Sequence, residues 1–88
     1  MTETVTERQA SMLLMRGRGC THDEIGEAHG VTGSRVAQLL STARKALGAR
    51  DVTHALAILI LADPRALEFL RREIEIPDQA REALRDLA

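Results

Sequence analysis

Between Thr21 and Leu47 the apolar and polar positions sort into two helical stripes joined by a tight turn. In the second stripe Val36, Leu40, Ala43 and Leu47 recur at helical spacing and supply a buried side, while Ser34, Arg35, Gln38, Ser41, Thr42 and Lys45 fall on the other. The first stripe is shorter, with Ile25 and Ala28 as its apolar contacts. Thr21 followed three residues later by Glu24 is a capping box, in which a hydroxyl and a carboxylate satisfy exposed helix-start amides, so a helix is predicted from His22. Gly30 tolerates positive φ and Thr32 can cap with its hydroxyl. Gly30-Val31-Thr32 therefore closes one helix and opens the next, over 33–47. This is the pattern of a helix-turn-helix. Gly26 falls where the two helices cross, and its propensity cost of roughly 1 kcal/mol relative to alanine reads as accepted for close packing.

The flanks continue the helical pattern. Met1 to Thr4 are expected to fray. Thr6 with Gln9 repeats the capping box, and Val5 can staple against Ala10. The helix that follows is expected to bury Ala10, Leu13 and Leu14, with Met12 or Met15, and to stop at Gly17-Arg18-Gly19. After Gly48, Asp51 caps a fourth helix to about Ala62, whose run from Ala55 to Ala62 is apolar on every side and so needs cover on two faces. Asp63-Pro64 restarts helix, with Ala66, Leu67, Phe69, Leu70 and Ile74 as its apolar side. Ile76-Pro77-Asp78 breaks it, and a last helix presents Ala80, Ala83, Leu84 and Leu87. The expected organisation is an all-α, tetrahelical helix-turn-helix domain over 5–62 with a C-terminal helical extension over 63–88 that packs on the core or dimerises.

Composition narrows the function classes. Eighty-eight residues make one small domain. Phe69 is the sole aromatic, so stacking on single-stranded bases is poorly provided for. The formal net charge is −1, yet it is unevenly spread. Residues 1–50 are slightly positive and 51–88 slightly negative, and no acid occurs from Gly33 to Arg50, where Arg35, Arg44, Lys45 and Arg50 are all cationic. A chain so divided can offer one face to phosphate and another to protein. Cys20 stands alone, which excludes an intramolecular disulfide and points to a reducing compartment. The longest apolar run is too short to span a bilayer and the start is polar, so a cytoplasmic, bacterial or phage-encoded protein is expected.

Catalysis is not expected. His22, His29 and His54 are scattered and, with one cysteine, form no zinc spacing. There is no phosphate loop and no nucleophile with a general base in context, and no cofactor is implied. Acids in the first turn of a helix, as in His22-Asp23-Glu24, serve the helix dipole. His29 reads as a helix-end imidazole, with a pH switch or metal ligand as the sharper alternative.

Thr6-Glu7-Arg8-Gln9, Gly19-Cys20-Thr21-His22-Asp23-Glu24-Ile25-Gly26, Val31-Thr32, Val36, Leu47-Gly48 and the stretch from Thr53 to Ile58 together resemble the LuxR/GerE-type four-helix DNA-binding domain, over roughly Val5 to Ala62. Ser34 to Leu39, followed by Ala43 and Leu47, is also similar to region 4 of sigma-70-type factors. The resemblance implies a recognition helix in the major groove, hydroxyls near its start on phosphates, and a fourth helix that pairs two subunits. His29, Leu39 and Ala46 depart from the LuxR-type pattern, where a leucine, a polar residue and a lysine are usual.

The function expected is a sequence-specific double-stranded DNA-binding transcriptional regulator acting as a homodimer. Arg35 and Gln38 are assigned to base readout, since Arg pairs with guanine and Gln with adenine. Ser34 and Ser41 take mixed roles, and Thr32, Thr42, Arg44, Lys45 and Arg50 grip phosphate. Leu56, Leu59, Ile60, Phe69 and Leu70 are the expected dimer contacts. The bland reading of the polar side is a solvated face on a helix that packs only with protein. A second functional class is a protein-binding adaptor that engages RNA polymerase, a sigma factor or another regulator through the helix-turn-helix or the C-terminal helices. A third is a phage protein that binds DNA for packaging or recombination.

Overall fold

The Thr6 hydroxyl accepts from the Gln9 amide at 3.1 Å while Gln9 Oε1 accepts from the Thr6 amide at 2.9 Å, and this box opens α1, Glu7–Gly17. The computed structural model describes residues 4–87; Met1, Thr2 and Glu3 of the expected frayed start lie outside the described residues, as does Ala88. Five further helices follow: α2 (His22–His29), α3 (Gly33–Ala46), α4 (Val52–Ala62), α5 (Pro64–Glu73) and α6 (Asp78–Leu84), with a final 3-10 turn over Arg85–Leu87. No strand occurs among the described residues. Thr21, Thr32, Asp51 and Asp63 cap α2 to α5 through their side chains, so each start signal falls where the sequence places it. The third helix stops one residue short of expectation, with Leu47 as its C-cap.

Met12, Leu13, Ile25, Val36, Leu40, Ala43, Ala49 and Ala55 form the core, drawn from α1 to α4. α2 packs chiefly on α3, α1 lies across α2, α3 and α4, and α5 leans on α1 and α4. Several expected burials are revised. Ala28 is exposed, because the inward line of α2 runs through Ile25, Gly26 and His29, so the imidazole takes the half-buried inward place and Ala28 falls on the rim. Ala10 and Leu14 are half-buried, whereas Met12 and Leu13 are fully enclosed; the inward line of α1 runs through Gln9, Met12 and Leu13. Leu47 is half-buried because the helix has ended, and Ala49 fills the core beyond it.

The C-terminal part is less covered than its apolar content demands. On α4 only Ala55 is fully buried, and Leu61 is 88% exposed. On α5 Ala66 is buried while Leu67 is exposed, and Ile74 beyond it, expected on the apolar side, is also exposed. α6 packs against none of α1 to α5.

Candidate nucleic-acid interface

α3 owes its placement to a short, tightly held turn. Gly30 sits at φ 70°, a left-handed conformation that a Cβ disfavours. The Val31 amide donates to the Gly26 carbonyl at 2.9 Å. A Cβ on Gly26 would lie 2.5 Å from the Val31 carbonyl oxygen, so the close approach read from the sequence is real, although the neighbour is the turn itself rather than the middle of α3. Thr32 then accepts from the Arg35 amide at 3.1 Å and starts α3.

Thr32, Ser34, Arg35, Gln38, Thr42 and Lys45 are all exposed, so one open ridge brings together most of the residues assigned to DNA. Within it Arg35 Nη1 donates to Gln38 Oε1 at 3.3 Å, which couples the two residues assigned to base readout, and the Thr42 hydroxyl donates to the Gln38 carbonyl at 3.0 Å. None of the cations on the ridge has an ion-pair partner among the described residues. Ser41 is half-buried at the margin. Arg44 is also half-buried, and its guanidinium donates to the Ala49 carbonyl at 2.9 Å, closing the loop after α3. Arg50 is exposed, and its amide donates to His54 Nδ1 at 3.0 Å while Asp51 caps α4, so the loop end that carries Arg50 is fixed from both sides.

An open hollow of about 510 Å³ lies beside the start of the ridge, lined by Arg16, Thr21, His22, Asp23, Gly33, Ser34 and Ala37. Arg16 brings a further cation there, held by a hydrogen bond to the Cys20 carbonyl. Sequence reading does not find it, since Arg16 is remote along the chain and only the packing of α1 on α2 and α3 brings it in. The acids at the head of α2 bound the cationic surface on this side. Glu24 is held below the usual carboxylate range by hydrogen bonds, first from the Thr21 amide and then from its hydroxyl.

Of the expected dimer contacts, Leu56, Leu59, Ile60, Phe69 and Leu70 are each half-buried within one chain. Leu56 and Leu70 lie over Gly17 at the end of α1. The most exposed apolar side chain of this region, Leu61, is not among those the sequence reading selects, because an all-apolar run gives no phase from which to choose.

No helix among the described residues is long and apolar enough to cross a membrane, and no group of three potential ligands among them could hold a metal ion. A family described as sigma-70, region 4 matches residues 3–48, from the start of α1 through the end of α3. No curated protein and no solved structure matches the chain.

Proposed function

The chain belongs to the sigma-70 region 4 family, and from that premise we propose that it is a sequence-specific transcriptional regulator that binds double-stranded DNA as a homodimer and reads the major groove with α3. The observation that carries this reading is the unobstructed outer ridge of α3: Ser34, Arg35, Gln38, Thr42 and Lys45 are exposed together, with no acid between Gly33 and Arg50 and no other helix laid over them. Arg and Gln offer the two-pronged donors and acceptors that distinguish base pairs in the major groove, and Lys with hydroxyls offers phosphate contacts that fix register. Thr32 and Arg50 flank the ridge at its two ends, where a duplex backbone on either side of the groove would pass. Arg44 and Ser41 contribute from the margin. Pairing through the fourth helix rests on the LuxR-type resemblance and on the apolar surface at its end. The family is non-catalytic, and binding is the activity to be tested.

In vitro selection from a random duplex pool, followed by fluorescence anisotropy on the recovered sequence at rising salt, tests the reading. The expected result is a short two-part motif bound at least about a thousandfold more tightly than random duplex. Recovery of no motif, with weak binding abolished by modest salt, would refute it.

A second reading is favoured by one observation. Among the described residues the exposed large hydrophobics, Leu61, Leu67, Ile74, Ile76, Leu84 and Leu87, all lie in the C-terminal portion. That distribution suits an adaptor that engages RNA polymerase, a sigma factor or another regulator through the C-terminal helices. A specific DNA footprint from the isolated protein would argue against it as the main activity.

A further inference from the structure

Glu7 lies near Arg65 at the start of α5, and Arg18, just past the end of α1, pairs with Glu73 at 3.9 Å. The two helices therefore run parallel, side by side. Between them is an open hollow of about 300 Å³, lined by the apolar Ala10, Leu14, Leu59, Ala66 and Phe69 and by Glu7, Asp63, Arg65 and Arg72, of which Arg65 is paired with Asp63. The protein's single aromatic ring is thus spent on a groove that its own chain leaves uncovered.

The chain also carries an element shaped for such a groove and does not use it. After Glu73 the backbone runs extended, with Ile74 at φ −104°, ψ 118° and Pro77 at φ −65°, ψ 149°. Pro77 holds the residue before it extended, so this link resists the reversal that would fold α6 back on its own body. α6 and its terminal turn accordingly touch no other helix, and Leu84 and Leu87 are 53% and 80% exposed. Residues 74–87 carry Glu75, Asp78, Glu82 and Asp86 against Arg81 and Arg85, which makes this segment net negative. Arg72, on the groove rim, has no ion-pair partner among the described residues.

We propose that residues 74–87 are an exchange arm: in a pair of identical chains each arm crosses to the other copy and lays Leu84 and Leu87 into its α1–α5 groove, with the arm's acids facing Arg72. Two such insertions related by a twofold axis bury both grooves and leave no open end for further copies. This deepens the homodimer part of the function proposed above and rests on it. The arms then add a second joint, at the side formed by α1 and α5, to the pairing through the fourth helix, and leave the outer ridge of α3 free.

The test uses the full chain with Cys20→Ser and Gln79→Cys, spin-labelled at the new thiol and mixed with isotopically labelled chain that bears no spin label. The expected result is a dimer by sedimentation at tens of micromolar, with amide signals of Ala10, Leu14 and Phe69 broadened in the isotopically labelled copies. Broadening confined to the spin-labelled chain itself, seen when that chain alone carries the isotope, would show the arm covering its own groove and overturn the proposal. A dimer without broadening would overturn the arm exchange yet leave the homodimer standing, whereas a monomer would overturn both. Leu84→Glu with Leu87→Glu is expected to weaken self-association at least tenfold, roughly what one lost buried leucine contributes. Its melting temperature when dilute should be unchanged, because the arm supports nothing in its own body. Unchanged self-association in that variant counts against the arm.

Discussion

The side-chain amide of Gln9 donates to the Leu39 carbonyl at 3.3 Å, joining the first turn of α1 to the middle of α3. The same side chain accepts from Thr6 in the capping box, so one residue only 7% exposed both starts α1 and ties it to the helix that carries the ridge. Gln9→Ala removes both roles and is expected to cost about 1–3 kcal/mol, a cap plus a half-buried hydrogen bond. Gln9→Glu keeps the cap but turns a carboxylate toward a carbonyl oxygen. Its destabilisation should be smaller in acid, where the protonated group can donate. Urea titrations of the three proteins near neutral pH and near pH 4 check this, and equal stability of wild type and Gln9→Ala would rule out the tie.

Gly26→Ala raises helix propensity by roughly 1 kcal/mol, so on local grounds it should stabilise α2. Contact with the Val31 carbonyl reverses the sign, because a backbone oxygen fixed by the turn cannot step aside. We expect a net loss of about 1–3 kcal/mol, as for overpacking at a closed contact. A higher melting temperature for Gly26→Ala would mean that the turn relaxes.

Arg35 and Lys45 both stand on the open ridge, but their chemistry assigns them different work. Arg35→Ala should lose about 1–3 kcal/mol on the selected DNA site and relax preference at one position, whereas Lys45→Ala should weaken every sequence alike and lower the salt slope by about one. Anisotropy titrations on matched and scrambled duplexes separate the two. Indistinguishable curves for wild type and both variants would remove α3 from the interface.

The Glu24 carboxyl is held below its ordinary value by the Thr21 amide and hydroxyl. A group whose folded value is depressed contributes stability that is fully present above its unfolded value and is lost as pH falls through the folded one. Glu24→Gln keeps an acceptor at the same place without the titration. The stability gap between wild type and Glu24→Gln should therefore narrow as pH is lowered from neutral through the glutamate range. A gap that stays constant would show that the charge of Glu24 adds nothing to the cap.

Start signals were the most legible part of the fold, because Thr6, Thr21, Thr32, Asp51 and Asp63 act through bonds to amides two or three residues away that no distant packing can change. The exposed polar ridge was legible for a similar reason, since helical period alone separates Arg35 and Gln38 from Val36 and Leu40. Less legible was anything set by which neighbour arrives. Ala28, expected among the apolar contacts of α2, is exposed, and Arg44 turns from the ridge to a carbonyl in its own loop. The family match ends at Gly48, so the helices after it were open to several arrangements, and the apolar run of α4 carried no phase to decide among them.

The bond from Val31 to Gly26 and the oxygen lodged against that glycine leave the α2–α3 corner without slack. A larger side chain at Gly26 would have to push this turn outward, and with it the start of α3 and the ridge that α3 carries. The tilt of the exposed helix relative to the body is thus set by a glycine that makes no side-chain contact of its own.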